Sequence, residues 1–146
     1  MPHIDFYIIT DETAASRLQL ACRLIEKAYK NRQRIYIHTD GEPLAHQLDE
    51  LLWTYREDSF LPHNIHGEGP IPAPPIQIGF TATPTEHRDL LINLNADVPG
   101  FYKQFTRVFE IVPPEATSQS AARERYRYYR NQGHEINTHK IHSLPV

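Results

Sequence analysis

The stretch HIDFYII, residues 3–9, opens a series of short runs that decides the fold. It is rich in β-branched and aromatic residues, which favour strands. In residues 12–32 the apolar side chains recur at three- and four-residue spacing, and this spacing predicts an amphipathic helix. A second strand-like run, RIYIHT, follows at residues 34–39. A strand, a helix and another strand in succession indicate a parallel β-α-β unit.

The same alternation continues along the chain. A second helix is predicted over Pro43–Trp53, a short helix or turn over Pro99–Phe105, and a third helix over Glu115–Gln132, with Gly133 as its C-cap. Three further strands are predicted, at Ile76–Phe80, Asp89–Asn95 and Thr106–Val112. The sequence therefore predicts an α/β, Rossmann-like three-layer fold with a mainly parallel five-stranded sheet flanked by helices, as a single domain over residues 1–146.

Composition indicates a cytoplasmic globular protein. Hydrophobic residues make up 40% and charged residues 23% of the chain, as in ordinary soluble domains. The single cysteine excludes an internal disulfide, and neither a secretory signal nor an apolar stretch of membrane-spanning length is visible. A net charge of −3 argues against a protein whose main task is to bind nucleic acid. We expect no membrane partner and no tight direct binding to nucleic acid.

The usual enzyme motifs of α/β proteins are missing from the sequence. The turn after the first strand, residues 9–13, has no glycine and carries Asp11 and Glu12, which would repel a phosphate. Neither a dinucleotide fingerprint, a P-loop nor a G-x-S-x-G motif occurs. Cys22 lies on the apolar face of its helix, which favours a buried structural thiol over a nucleophile. We therefore expect no catalytic residue and no cofactor.

A long connection over residues 54–75 holds the segment PHNIHGEG. Connections of this length usually carry function or disorder. His63, His66 and Glu68 are close enough in sequence to supply three zinc ligands, and a metal-dependent hydrolase built on this loop is one interpretation. The others are histidines that hydrogen-bond the loop backbone, or that contact a partner. We favour the loop interpretation and expect no metal site.

Trp53, Phe60, Leu61 and Pro62 place large apolar side chains beside this connection. One interpretation is that they fold back into the core. The other is an aromatic anchor for a protein partner, since the centres of interfaces are rich in Trp and Phe.

The last predicted helix carries an arginine stripe formed by Arg123, Arg127 and Arg130, at i, i+4 and i+7 with no acidic residue between them on that face. A neighbouring stripe is suited to pack on the sheet and contains Ala122, Tyr126, Tyr129 and Gly133. The arginines are either a solvated helix face or a receptor for carboxylates, which the planar guanidinium binds well. Val112, at the end of the preceding strand, is placed to supply an apolar floor. An acidic peptide with a hydrophobic end would fit, and single-stranded DNA is the competing ligand.

Several blocks, taken in order, resemble the chi subunit family of bacterial DNA polymerase III. They are LDELLW, SFLPHNIHGEGP, PIQIGF, HRDLLINL, ARERYRYYR and GHEINTHK. The resemblance runs from the first strand to the tail and is most specific at Leu48–Pro70 and Ala122–Arg130. It implies a Rossmann-like fold without nucleotide binding, and a non-catalytic accessory subunit of the polymerase III holoenzyme, associated with the clamp loader in the bacterial cytoplasm.

The resemblance also implies two binding surfaces. One would bind the psi subunit, or alternatively a DNA helicase, and the other the acidic C-terminal tail of single-stranded DNA-binding protein. The residues of this sequence that match the family's psi surface are Trp53, Phe60 and Pro62. The residues that match the family's tail pocket are Val112, Arg123, Tyr126 and Arg127. Within the pocket, Arg123 would bind the terminal carboxylate of the tail.

Overall fold

The computed structural model describes residues 2–10, 17–55, 60–67, 73–80, 84 and 87–141. Their strands are β1 (His3–Ile9), β2 (Ile35–His38), β3 (His63–Ile65), β4 (Ile76–Gly79), β5 (Leu90–Asn93), β6 (Arg107–Val112) and β7 (Ile136–Ile141). Their helices are α1 (Arg17–Lys30), α2 (Glu42–Thr54) and α3 (Ala116–Asn131), with a 3-10 turn at Tyr102–Gln104.

The strands form one sheet in the order β3-β4-β2-β5-β6-β1-β7, and each neighbouring pair is parallel. A parallel sheet needs crossover connections, and these cover both of its faces. One core cluster joins α1 and α2 to the sheet, and a second joins α3 and the 3-10 turn to it. The predicted three-layer α/β fold with a parallel sheet is confirmed. No helix in the described ranges has the length and apolar character needed to cross a membrane.

The predicted number of strands was wrong, because the described sheet has seven rather than five. The additional strands are β3 and β7, which form the two edges of the sheet. β3 has three residues and lies inside the proline- and glycine-rich connection. β7 reads INTHKI, and its four central residues are polar and exposed, so the sequence lacks the continuous apolar run that marks the central strands. Edge strands have a neighbour on one side only, and they tolerate such polar sequences.

The helix boundaries agree with the predicted ones where the structure describes them. The predicted start of the first helix and most of the turn at residues 9–13 lie outside the described residues. At the end of α3, Gly133 has a φ of 84°, and its N–H donates to the carbonyl oxygen of Arg130 at 3.0 Å. The N–H of His134 donates to the carbonyl oxygen of Tyr129 at 3.2 Å. This pair of bonds is a Schellman motif, which confirms the C-cap at Gly133.

Cys22 is fully buried in α1, and burial raises the pKa of its thiol to about 12. A thiol with such a pKa stays protonated at neutral pH and is a poor nucleophile. The structural interpretation of this cysteine is therefore supported by its surroundings.

Gly79 allows a close contact inside the sheet. The fully buried ring of Tyr36 in β2 lies over the Cα of Gly79 in β4, and a Cβ at that position would overlap the tyrosine hydroxyl. The same ring makes an edge contact with Phe101, at 5.7 Å between ring centroids. Tyr36 therefore fixes the spacing between the sheet and the loop that follows β5.

We predict that Gly79→Ala lowers the free energy of unfolding by about 1–3 kcal/mol, because the buried ring has to move. Urea denaturation measures this loss. Gly100→Ala is the matched control, since an added Cβ there meets no described atom within 4 Å. It should change stability by less than about 0.5 kcal/mol. Equal stabilities for the two variants would contradict the contact.

Candidate functional site

A groove of about 410 Å³ lies between α3 and the strands at one edge of the sheet. Strands β1, β6 and β7 supply its floor, and α3 supplies one wall. The lining residues are Phe6, Ile8, Val112, Gln119, Ala122, Arg123, Tyr126 and Thr138. Most of the exposed lining is apolar, and Arg123 is the charged residue among these described side chains.

The parallel register explains why distant residues meet in the groove. Phe6 and Ile8 alternate along β1, so both face α3. Ile8 is in register with Val112 of β6, and Phe6 is in register with Thr138 of β7. The ring of Tyr126 packs on the ring of Phe6, with centroids 5.5 Å apart. The floor is therefore built from cross-strand rows, and α3 closes it on one side.

Three of the four side chains predicted for the tail pocket come together here. Val112, Arg123 and Tyr126 line the groove. Arg123 is exposed, and no described residue forms a hydrogen bond or ion pair with its guanidinium. Arg127 lies outside this lining and forms an exposed ion pair with Glu124, three residues earlier. The three arginines are therefore not equally available to a ligand, because the Glu124 carboxylate reaches Arg127 from the neighbouring face of α3.

A buried polar cluster under α3 escaped the sequence analysis. The Glu110 carboxylate is fully buried and accepts hydrogen bonds from Nε of Arg125 at 2.8 Å, Nδ2 of Asn93 at 2.9 Å and the hydroxyl of Tyr129 at 2.6 Å. Nη1 of Arg125 also donates to the carbonyl oxygen of Ala96 at 2.9 Å. The cluster thus ties α3 to β5, to β6 and to the loop after β5.

Two sequence features could have revealed this cluster. Glu110 is a carboxylate inside the apolar run TRVFEIV, where a buried acid needs a cationic or donor partner. Arg125 lies beside the apolar stripe of α3, on the side away from the arginine stripe, where a helix that packs on a sheet can still direct a long side chain into the core. Assigning it to Glu110 would have required knowing how α3 is rotated on the sheet.

Burial dominates the electrostatics of the cluster. It raises the pKa of Glu110, while Arg125 and the hydrogen bonds from Asn93 and Tyr129 act in the opposite direction. Burial and the neighbouring Glu110 carboxylate raise the pKa of Tyr129, so its hydroxyl remains a donor. These contacts fix the rotation of α3, and with it the positions of Arg123 and Tyr126 at the groove.

A second candidate surface lies on α2, on the opposite side of the sheet. Trp53 is 53% exposed and Phe60 is 68% exposed, and their ring centroids are 5.9 Å apart. Leu61 is buried in the core, and Pro62 is half-buried. The interpretation that these side chains fold back into the core holds for Leu61. Trp53 and Phe60 instead form an exposed aromatic pair. Residues 56–59, between them, lie outside the described part of the chain.

The surface around Trp53 is hollow rather than flat. A depression of about 610 Å³ lies between α1 and α2 and reaches Trp53. Its other lining residues are Leu18, Gln19, Gln47, Glu50, Leu51 and Thr54. Trp53 therefore borders a concave area of mixed polarity.

His63 is part of the loop framework. Its side chain is fully buried, Nδ1 faces the carbonyl oxygen of Leu61, and Nε2 lies 3.0 Å from the carbonyl oxygen of Asp49. Each ring nitrogen has a backbone carbonyl oxygen within reach as an acceptor, and whichever nitrogen carries the proton donates to the loop or to α2, as the loop interpretation holds. Glu68 lies outside the described residues. Within the described ranges, no group of three His, Cys, Asp or Glu residues is placed to hold a metal ion.

The fold and the groove together define a class: a small parallel α/β protein that presents an apolar groove with an exposed guanidinium at its side. Comparison with known proteins narrows this class. The solved structure of T4 UvsW matches the fold with a TM-score of 0.68 at 8% identity, over 98% of this chain and 42% of that one. A match at so low an identity shows the fold alone.

Residues 1–137 match the family described as DNA polymerase III chi subunit, HolC. DNA polymerase III subunit chi of Pseudomonas aeruginosa is 40% identical over 97% of this chain and 98% of its own. The chi subunits of Escherichia coli and Haemophilus influenzae are 35% and 33% identical, over 94% and 93% of this chain and 97% and 95% of theirs. The chain belongs to the DNA polymerase III chi subunit family. The predicted family and the predicted accessory role in replication are confirmed.

We predict that Arg125→Met lowers the free energy of unfolding by about 3–5 kcal/mol, because it leaves the Glu110 carboxylate buried without its cation. Urea denaturation measures the loss. Arg127→Met is the matched control on the same helix and breaks only the exposed pair with Glu124, at a cost below about 1 kcal/mol. Similar losses in the two variants would show that the Glu110 cluster does not hold α3.

Proposed function

We propose that this protein is a non-catalytic adaptor in bacterial DNA replication that bridges the psi subunit and the acidic C-terminal tail of single-stranded DNA-binding protein. The observation that carries the proposal is the groove, whose apolar floor lies beside the exposed and unengaged guanidinium of Arg123 among the described residues. Membership of the chi family supports the same role in the polymerase III assembly.

The groove suits a peptide end that is both acidic and apolar. The last side chain would pack on Phe6, Ile8 and Val112, removing its apolar surface from water. The planar donor pair of Arg123 would bind the terminal carboxylate, a charge-assisted contact worth about 1.5–3 kcal/mol. Tyr126 would enclose the peptide from the side of α3.

Arg127 is proposed as a weaker contact than Arg123. It lies one turn further along α3 and is paired with Glu124, so a bound acid would have to replace that carboxylate. An exchange between two exposed partners yields little free energy. Its contribution would therefore be mainly to the attraction of the tail at low salt.

The second surface is proposed to bind psi. Trp53 and Phe60 are large, exposed and packed on each other. Exposed aromatic side chains of this kind are the usual anchors of protein interfaces, where a partner buries them. Pro62 lies just after Phe60 and stiffens the segment. A DNA helicase is the proposed alternative partner at this same surface, so the two would compete.

We predict that Arg123→Ala weakens binding of the tail peptide about ten- to a hundredfold, because the carboxylate loses its charge-assisted donors. Isothermal titration calorimetry measures the affinity, and the wild-type affinity should fall with rising salt. Arg130→Ala removes the same charge from α3 at a residue outside the groove lining and serves as control. An unchanged affinity for Arg123→Ala would remove the support for the tail pocket.

We predict that Phe60→Ala weakens the psi complex by about 2 kcal/mol or more, as loss of an interface anchor does, and leaves tail binding unchanged. Co-purification with psi and calorimetry with the tail peptide measure the two contacts. Tyr128→Ala is the control, since Tyr128 is 43% exposed but lies on α3. If Phe60→Ala weakened both contacts equally, the two surfaces would not be separate.

A further inference from the structure

We propose that Lys140 of β7 forms a second cationic side of the groove and binds an acidic side chain of the tail, upstream of its terminal carboxylate. The inference rests on the proposed function and extends the tail site from α3 to the edge strand. It adds a specificity-determining residue, because it selects for a negative side chain as well as for a free C-terminus.

The direction of the Lys140 side chain follows from its neighbour. The ring of His139 stacks on the ring of Tyr7, with centroids 4.6 Å apart, and its Nε2 lies 3.0 Å from the Asp5 carboxylate. Both of these contacts are on the sheet face away from the groove. Side chains alternate along a strand, so residues 138 and 140 point to the groove face. Thr138 lines the groove, as this alternation requires.

The register then places Lys140 across the floor from α3. Ile8 is paired with Val112 on one side and with Lys140 on the other. The row Val112–Ile8–Lys140 therefore crosses the end of the groove where β6 leads into α3. Arg123 lies on α3, on the other side of the same groove. A bound peptide would lie between the guanidinium and the ammonium group.

The charges around Lys140 leave it available to a ligand. It is exposed, and no described residue forms a hydrogen bond or ion pair with it. Glu135, at the other end of β7, lies 3.7 Å from the His3 ring, and Asp5 is on the opposite face, held by Arg107 at 2.9 Å.

Among the described residues, Arg123 in the groove lining and Lys140 at the end of the Val112–Ile8–Lys140 row are two unengaged cations, and together they favour an occupant with more than one negative charge. The acidic tail has this charge, and Lys140 and Arg123 suit different parts of it. Lysine is a flexible point charge, which suits a side-chain carboxylate, whereas the fixed fork of Arg123 suits the chain terminus.

The test is a double-mutant cycle by calorimetry on the full-length chain. Lys140→Gln is titrated with the cognate tail peptide and with peptides in which each Asp or Glu is replaced in turn by its amide. We expect a roughly two- to fivefold loss of affinity for the parent peptide, as for an exposed charge contact. For one of the amide peptides, Lys140→Gln and the wild-type chain should have equal affinity. The acidic residue replaced in that peptide is the one that Lys140 contacts.

Lys30→Gln makes the same charge change at the end of α1, on the other face of the sheet, and should bind like wild type. If Lys140→Gln binds like Lys30→Gln while Arg123→Ala loses affinity, the Lys140 contact is overturned and the tail pocket stands. The contact is likewise overturned if the loss at Lys140 persists equally with every amide peptide. If the wild-type chain does not bind the parent peptide, the proposed function itself fails, and the Lys140 contact fails with it.

Discussion

The structure on the α3 side depends on one constraint: a carboxylate buried in an apolar core must be compensated. Glu110 meets this requirement with partners from α3, from β5 and from the backbone after β5 through Arg125. Because Arg125 and Tyr129 are one turn apart, α3 satisfies both contacts in a single rotation. That rotation turns Tyr126 toward Phe6 and leaves Arg123 at the groove. The geometry of the groove thus follows from the chemistry beneath the helix.

Much of the fold could be predicted because its central strands are buried on both faces. Such strands read as apolar runs, and the long helices between them show a clear three- to four-residue period. The edge strands gave no such signal. β7 places His139 and Lys140 on opposite faces and is mostly exposed, so local pattern does not distinguish it from a solvated tail. β7 is a strand because it pairs with β1, more than 120 residues earlier in the chain, and a local pattern cannot reveal such a long-range contact.

The candidate site was predicted only in part, because local sequence pattern reveals a helix face but not which strands pair beneath it. The helical period and the family resemblance pointed to Arg123 and Tyr126, which share a helix and depend on local spacing. The floor residues Phe6 and Ile8 were missed, since their role depends on the register of β1 with β6 and β7. Arg127 was placed by the helical period and the family resemblance, and its ion pair with Glu124 depends on the side-chain conformations that the two residues adopt.

The wall of the groove, α3, and one strand of its floor, β7, belong to one continuous stretch of chain, residues 116–141, in which the Schellman turn at Gly133 joins them. Among the described strands β7 pairs with β1 alone, so β7 can detach from the sheet without separating any other strands. Proteins open locally in cooperative units of this kind, at a free energy below that of global unfolding. Amide hydrogens of β7 would then exchange with solvent sooner than those of β2 or β5. A ligand that contacts both α3 and β7 would slow that exchange by holding β7 on the sheet.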